Sequence, residues 1–122
     1  MTALHQVLSI GLAGHHNLTP EQMSEASRQM AQEAIKADIA FEGIFVHSEL
    51  PEDERSELQK KLQSKNWAIV QIGSGLRLVS ENTRLLEDVV NMVLSTVHPT
   101  PKLAFPTVPN EMIPTFQRLL AL

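Results

Sequence analysis

The chain has 122 residues, of which 43% are hydrophobic and 20% charged, with a formal net charge of -4 and no cysteine. This composition is typical of one globular domain over residues 1–122, and it excludes disulfides, thiolate metal ligands and cysteine nucleophiles. The ten Lys and Arg residues form no basic stripe, so we expect no nucleic-acid partner. No apolar run approaches the roughly 18 residues of a membrane helix, and no basic leader precedes the first apolar segment, so we expect a cytoplasmic protein without a membrane partner.

The first predicted elements are a buried strand and an amphipathic helix. Residues 4–12 form a compact apolar run, which favours a strand buried on both faces. Thr19 and Gln22 then stand in a capping-box pattern, with Pro20 in the first helical turn. Helical spacing of apolar residues continues to Ala37.

A second strand and a second, more polar helix follow. Ile39–Val46 is rich in aromatic and β-branched residues, and Glu42 and Gly43 within it favour an edge position in the sheet. The next helix has acidic residues in its first turn and places only Leu58 and Leu62 on its inner face.

The second half of the chain repeats the alternation. Residues 67–72 predict a strand that is apolar on both faces except at Gln71, and Ser80 is the predicted cap of a helix over residues 81–97. This helix is apolar around more than half of its circumference, which predicts a second contact surface. Residues 102–105 predict a short strand, and Asn110 precedes a final helix.

The alternation predicts an α/β fold, a single-domain three-layer α/β/α sandwich around a four-stranded parallel sheet. Strand–helix–strand connections are right-handed, so helices cover both faces. The most apolar strands, 1 and 3, belong in the centre, which gives the order 2-1-3-4 and a flavodoxin-like or Rossmann-like topology.

A ligand site is predicted where the strand order reverses, beyond the carboxyl ends of strands 1 and 3. The loops over residues 11–19 and 73–80 flank that point, and residues 105–110 form one wall. The residues predicted to bind a ligand are His15, His16, Asn17, Gly73, Ser74, Gly75, Arg77 and Thr107.

The Gly73-Ser74-Gly75-Leu76-Arg77 segment favours anion recognition. Glycines allow backbone amides to approach a phosphate or carboxylate, and Arg77 adds a planar cation. The alternative is a tight turn in which the glycines serve only the backbone and Arg77 is a solvated charge. Because Leu78 replaces a third glycine and no Gly-Lys-Ser/Thr follows, neither a dinucleotide fingerprint nor a P-loop is complete.

The adjacent histidines leave several roles open: phosphoryl acceptor, general base, metal ligand or hydrogen-bonding partner. A closed zinc site needs about four ligands, so we expect no metal site. A serine hydrolase needs Gly-x-Ser-x-Gly, and the segment around Ser74 lacks this spacing. Catalytic residues therefore stay open, and we expect no cofactor.

The element order resembles that of flavodoxin-like proteins, including receiver domains and lactose-type sugar-phosphotransferase IIB domains. The resemblance implies the doubly wound sheet but carries over no catalytic residue. Receiver domains have acids after strand 1 and an aspartate ending strand 3, where this chain has Gly11-Leu12 and Ile72-Gly73. The IIB domains have a phosphorylated cysteine after strand 1, where His15 stands, and flavin-binding members need aromatic loop residues, of which only Phe105 is present.

Two functions are compatible with these patterns. The first is a small domain that binds a phosphate- or carboxylate-bearing ligand at the loops after strands 1 and 3, with or without catalysis. The second is a homo-oligomeric interaction module, most simply a homodimer, formed through the helix 81–97 or the C-terminal helix and holding no small molecule.

Overall fold

Four parallel strands form one sheet in the order β2-β1-β3-β4. The computed structural model describes residues 3–122. The strands are β1 His5–Leu12, β2 Ile39–Val46, β3 Ile69–Ile72 and β4 Lys102–Ala104. The predicted order and the edge positions of β2 and β4 are confirmed.

Helices connect the strands and cover both faces of the sheet. They are α1 Pro20–Ile35, α2 Glu52–Gln63, α3 Ser74–Arg77, α4 Thr83–Thr96 and α5 Met112–Leu120. Short 3-10 turns occupy His15–Asn17, Ser80–Asn82 and Pro109–Glu111. No helix within residues 3–122 combines the length and apolar character needed to cross a membrane.

The two faces of the central strands bury different sets of side chains. Leu8, Ile10, Val70 and Ile72 are fully buried in the cluster that includes residues of α2 and α4. Residues on the opposite face, beginning with Val7, pack in a second cluster with residues of α1 and α5. This alternation along each strand produces the predicted three layers.

The strongest local sequence signals are confirmed by the hydrogen bonds. Thr19 Oγ1 accepts a 3.1 Å bond from the Gln22 amide, and Gln22 Oε1 accepts a 2.8 Å bond from the Thr19 amide. Leu58 and Leu62 are the buried residues of α2, as its sparse apolar spacing indicated.

The predicted start of the third helix is wrong. Residues 74–77 already form the helical turn α3, and α4 begins at Thr83 after a separate 3-10 turn. The residue before α4 is Asn82, and the Ser80 hydroxyl bonds to the Glu81 carboxylate at 3.4 Å and not to a backbone amide. Asn82, which is buried, instead donates a 3.0 Å bond from Nδ2 to the Gly75 carbonyl and so joins the two helical segments. A side-chain bond across seven residues has no local signature in the sequence.

Candidate ligand-binding site

A cavity of about 250 Å³ lies at the carboxyl ends of β1 and β3. Six of the eight residues predicted to bind a ligand line this cavity, and they lie in the loops after β1, β3 and β4. These lining residues are His15, His16, Gly73, Ser74, Gly75 and Thr107. Asn17 and Arg77 lie outside the lining.

The cavity exists because the strands carry small or polar residues on the α1 and α5 face near their carboxyl ends. Ser9 pairs with Gly43 on one side and with Gln71 on the other, which places these three residues in one row across the sheet. Gly11 and Gly73 follow two positions further along and also line the cavity. On the opposite face the same strands carry large aliphatic side chains, which fill that layer.

The remaining walls are mostly apolar. Met23, Met30, Phe41, Phe45 and Met112 are among the lining residues. Sequence reasoning assigned the three methionines to packing, because methionine at helical spacing usually fills a core. They do pack, since Met23 is buried and Met30 and Met112 lie against the second core cluster, and they also cover a space that the small strand residues leave open.

The rim of the cavity exposes apolar surface. Leu18 is 39% exposed and Val108 is 48% exposed, and both line the cavity. Exposed apolar groups that border a concave site are characteristic of binding surfaces.

The loop after β1 brings His15 against the start of α3. Ser74 Oγ lies 3.4 Å from His15 Nε2. A Cβ atom at Gly75 would lie 3.0 Å from His15 Cγ and 2.8 Å from Leu12 Cβ, so this close approach requires glycine. His16 has a left-handed backbone with φ of 60°, which a histidine adopts at some cost in energy.

Burial lowers the pKa of His15, and repulsion from His16 lowers it further. The two imidazole centroids are 3.8 Å apart. His15 is therefore neutral at pH 7, with one ring nitrogen able to donate and one able to accept a hydrogen bond. A negative charge placed beside it would favour its protonated form.

Arg77 joins the loop after β3 to the loop after β4. Its Nε donates a 2.9 Å bond to the Ile72 carbonyl, and Nη2 donates a 2.9 Å bond to the Pro106 carbonyl. The guanidinium also lies 5.5 Å from the centroid of the Phe105 ring. Burial lowers the pKa of Arg77. Because the ordinary pKa of a guanidinium is very high, the group stays charged. Direct contact between Arg77 and an anion stays a prediction, because two of its donors already bind the backbone.

The lining residues, all within residues 3–122, include no carboxylate. Hence Ser74 and His15 lack the acid that orients the base of a catalytic triad. His47, at the end of β2, lies outside the cavity, where hydrogen bonding to Glu54 raises its pKa. Within the same described residues, no group of three or more His, Cys, Asp or Glu side chains is placed to hold a metal ion.

The sheet defines the fold class of the protein. A parallel sheet in the order 2-1-3-4 with a site at the ends of its two central strands is a flavodoxin-like arrangement. The sequence matches no protein-family model, and no similar curated protein was found. Function must therefore be argued from the site.

Proposed function

We propose that this protein binds a small organic anion at the loops after β1 and β3. The apolar part of the ligand occupies the cavity, and its carboxylate or phosphate lies beside His15, His16 and Ser74. The observation that carries the proposal is the cavity itself, which combines apolar walls with hydrogen-bonding side chains from three loops at one end.

The lining favours an anion over a cation. Among the described lining residues there are histidines and hydroxyls but no carboxylate, so a bound cation would have no counter-charge. Arg77 adds a permanent positive charge next to the site, since it binds the carbonyl of the lining residue Pro106. A bound anion would interact favourably with the charge of this half-buried guanidinium.

The dimensions limit the ligand to a small molecule. A volume of about 250 Å³ is near the lower end of ligand sites, which span roughly 300–1,000 Å³. Burying about 150 Å² of one aromatic ring contributes about 4 kcal/mol, comparable to the lower estimates of the entropy lost on association. Apolar burial therefore only offsets this cost, and the hydrogen bonds and charge interactions of the anionic group must supply the net affinity, about 4–8 kcal/mol for dissociation constants in the millimolar to micromolar range.

Phenylacetate is expected to raise the melting temperature of the wild-type protein more than inorganic phosphate or neutral phenylacetamide does. At ten times its dissociation constant, a single-site ligand adds about 1.4 kcal/mol, or about 3–6 °C for a domain of this size. Ala26→Phe, which adds a ring at the cavity wall on α1, should reduce this shift by more than half because it occupies the ligand volume.

Gln32→Phe is the matched control for this experiment. Gln32 is exposed on the same helix and lies outside the cavity lining, so the variant should respond to phenylacetate like the wild type. The proposal fails if none of the probes shifts the melting temperature, or if Ala26→Phe retains the full shift.

The affinity for phenylacetate is expected to increase as the pH falls from about 8 to about 5. The free protein has a lowered His15 pKa, whereas a carboxylate beside the imidazole raises that pKa in the complex. The complex then holds more protons than the free protein, so lower pH favours binding, by up to about tenfold per pKa unit of difference. Calorimetry across this pH range measures the effect.

His15→Gln should weaken this pH dependence, and His47→Gln should leave it unchanged because His47 lies outside the cavity. An affinity that is independent of pH in the wild type, or that falls as the pH is lowered, would contradict the placement of the anion beside His15.

The homodimer stays a prediction. Most apolar positions of α4 pack on the protein's own core, including Leu85, Val89 and Val93, and Leu94 is 42% exposed. Leu122, near the C-terminal helix, is 81% exposed. This apolar surface is smaller than the sequence pattern indicated, so we favour ligand binding over the interaction module. We also place the function in the cytoplasm.

A further inference from the structure

A polar pair lies within the apolar part of the cavity. Gln71 of β3 is only 7% exposed, and its Nε2 donates a 2.8 Å bond to Ser9 Oγ on the neighbouring strand. Both residues line the cavity, two positions before the glycines at which the strands open toward the loops. A single aliphatic residue at either position would fill the space without any hydrogen-bonding requirement.

This pair retains hydrogen-bonding capacity that the protein does not use. Gln71 Oε1 is shielded from solvent and has no partner among residues 3–122. Ser9 accepts the bond from Gln71 and keeps its own O–H for a second partner. An amide oxygen buried without a partner is destabilising, and Gln71, unlike Gln6, borders a cavity from which a second molecule can supply that partner.

A hydroxyl group matches the pair best. It can accept a bond from the Ser9 O–H and donate its own proton to Gln71 Oε1. The terminal torsion of glutamine has broad minima, so the amide can turn its oxygen toward the cavity; this turn gives up the Nε2–Ser9 bond, which the ligand hydroxyl replaces by bonding to both side chains. A charged group would lack a counter-ion at this depth.

We propose that the ligand is an organic acid with a hydroxyl group at the end opposite its anionic group, and that Ser9 and Gln71 select for this hydroxyl. This inference rests on the proposed function, since it places the anion at His15 and Ser74. Gln71 and Gly73 are two residues apart along the strand direction, which corresponds to about 7 Å. A six-membered ring with one further carbon spans such a separation, so an aromatic hydroxy acid fits both ends.

Calorimetry with two probes tests the inference. 4-Hydroxyphenylacetate and 4-methylphenylacetate have the same charge and nearly the same shape, and they differ in the group that would reach Ser9 and Gln71. The wild type is expected to bind the hydroxyl compound at least tenfold more tightly. Gln71→Leu and the milder Ser9→Ala should each reduce this preference at least fivefold and leave the affinity for the methyl compound unchanged or increased.

Gln6→Leu provides a matched control. Gln6 also has a shielded Oε1 without a partner among the described residues, and it lies on β1 outside the cavity lining. Its variant should keep the wild-type preference. Melting temperatures of all variants establish that they are folded before binding is compared.

The outcomes separate this inference from the proposed function. If the wild type binds both compounds equally, or prefers the methyl compound, the inference is overturned and the proposed function stands. The same holds if Gln71→Leu and Ser9→Ala keep the full hydroxyl preference. If neither compound binds the wild type, the proposed function fails and the inference fails with it.

Discussion

Leu76→Ala is expected to destabilise the protein by about 3 kcal/mol and to weaken phenylacetate binding. Leu76 is fully buried in the larger core cluster, and it is the side chain that anchors α3. A helix of one turn has no stability of its own, so α3 keeps its place through this packing. Because α3 carries Ser74 and Gly75, a loosened turn also releases the contact with His15.

Urea denaturation measures the loss of stability, and calorimetry well below the melting temperature measures the loss of affinity. Leu78→Ala is the control, since Leu78 is two residues away, has the same side chain and is 66% exposed. It should change stability by less than about 0.5 kcal/mol. Equal effects of the two substitutions would show that the burial of Leu76 does not hold α3 in place.

Arg77→Ala is expected to destabilise the protein by about 2–4 kcal/mol. The substitution removes two charge-assisted hydrogen bonds, each worth about 1.5–3 kcal/mol, with a discount because the side chain is only half-buried. The carbonyls of Ile72 and Pro106 then lose a partner, and the loop after β4 is no longer tied to the end of β3. Phenylacetate binding should fall as well, because Pro106 and Thr107 form part of the cavity wall.

Two further variants distinguish the bonds of Arg77 from its charge. Arg77→Lys keeps the charge but cannot span both carbonyls with a planar fork, so it should lose most of the same stability. Arg118→Ala removes an exposed cation of the same charge and should have little effect. If Arg77→Lys behaves like the wild type in stability and binding, the positive charge of Arg77 is sufficient and its two hydrogen bonds to backbone carbonyls are not required.

The approach of the loops that line the cavity could be predicted, because the positions of these loops follow from the order of the elements. Gly11 and Gly73 end apolar runs, and a parallel sheet in the order 2-1-3-4 brings the two following loops together. His15 and Ser74, which are 59 residues apart in the chain, approach to 3.4 Å for this reason. The strand order alone was enough to predict that the two loops approach each other, and no sequence motif linking them was needed.

The pairing of Ser9 with Gln71 in the cavity wall could not be predicted in the same way. Gln71 was visible as the one polar residue in a buried strand, but its partner Ser9 is identified only by the register of β1 and β3. Register also aligns Gly43 with Ser9, and the missing side chain of Gly43 lets Ser27 of α1 pack closely on the sheet, since a Cβ atom there would lie 2.7 Å from Ser27 Oγ. The sequence alone therefore showed that Gln71 is a polar residue in an apolar strand. Only the sheet shows that Gln71 lies beside Ser9 in the wall of a cavity.

The sequence by itself determined the alternation of strands and helices, the capping box at Thr19, and the central position of the two most apolar strands. These depend on periodicity and on contacts between residues close in the chain, which local patterns encode. Only the tertiary structure decided that Arg77 binds two carbonyls, that α3 forms before Ser80, and that the methionines line a cavity. Each of these depends on which distant side chains and carbonyls come within reach, and that is fixed by sheet register and helix packing.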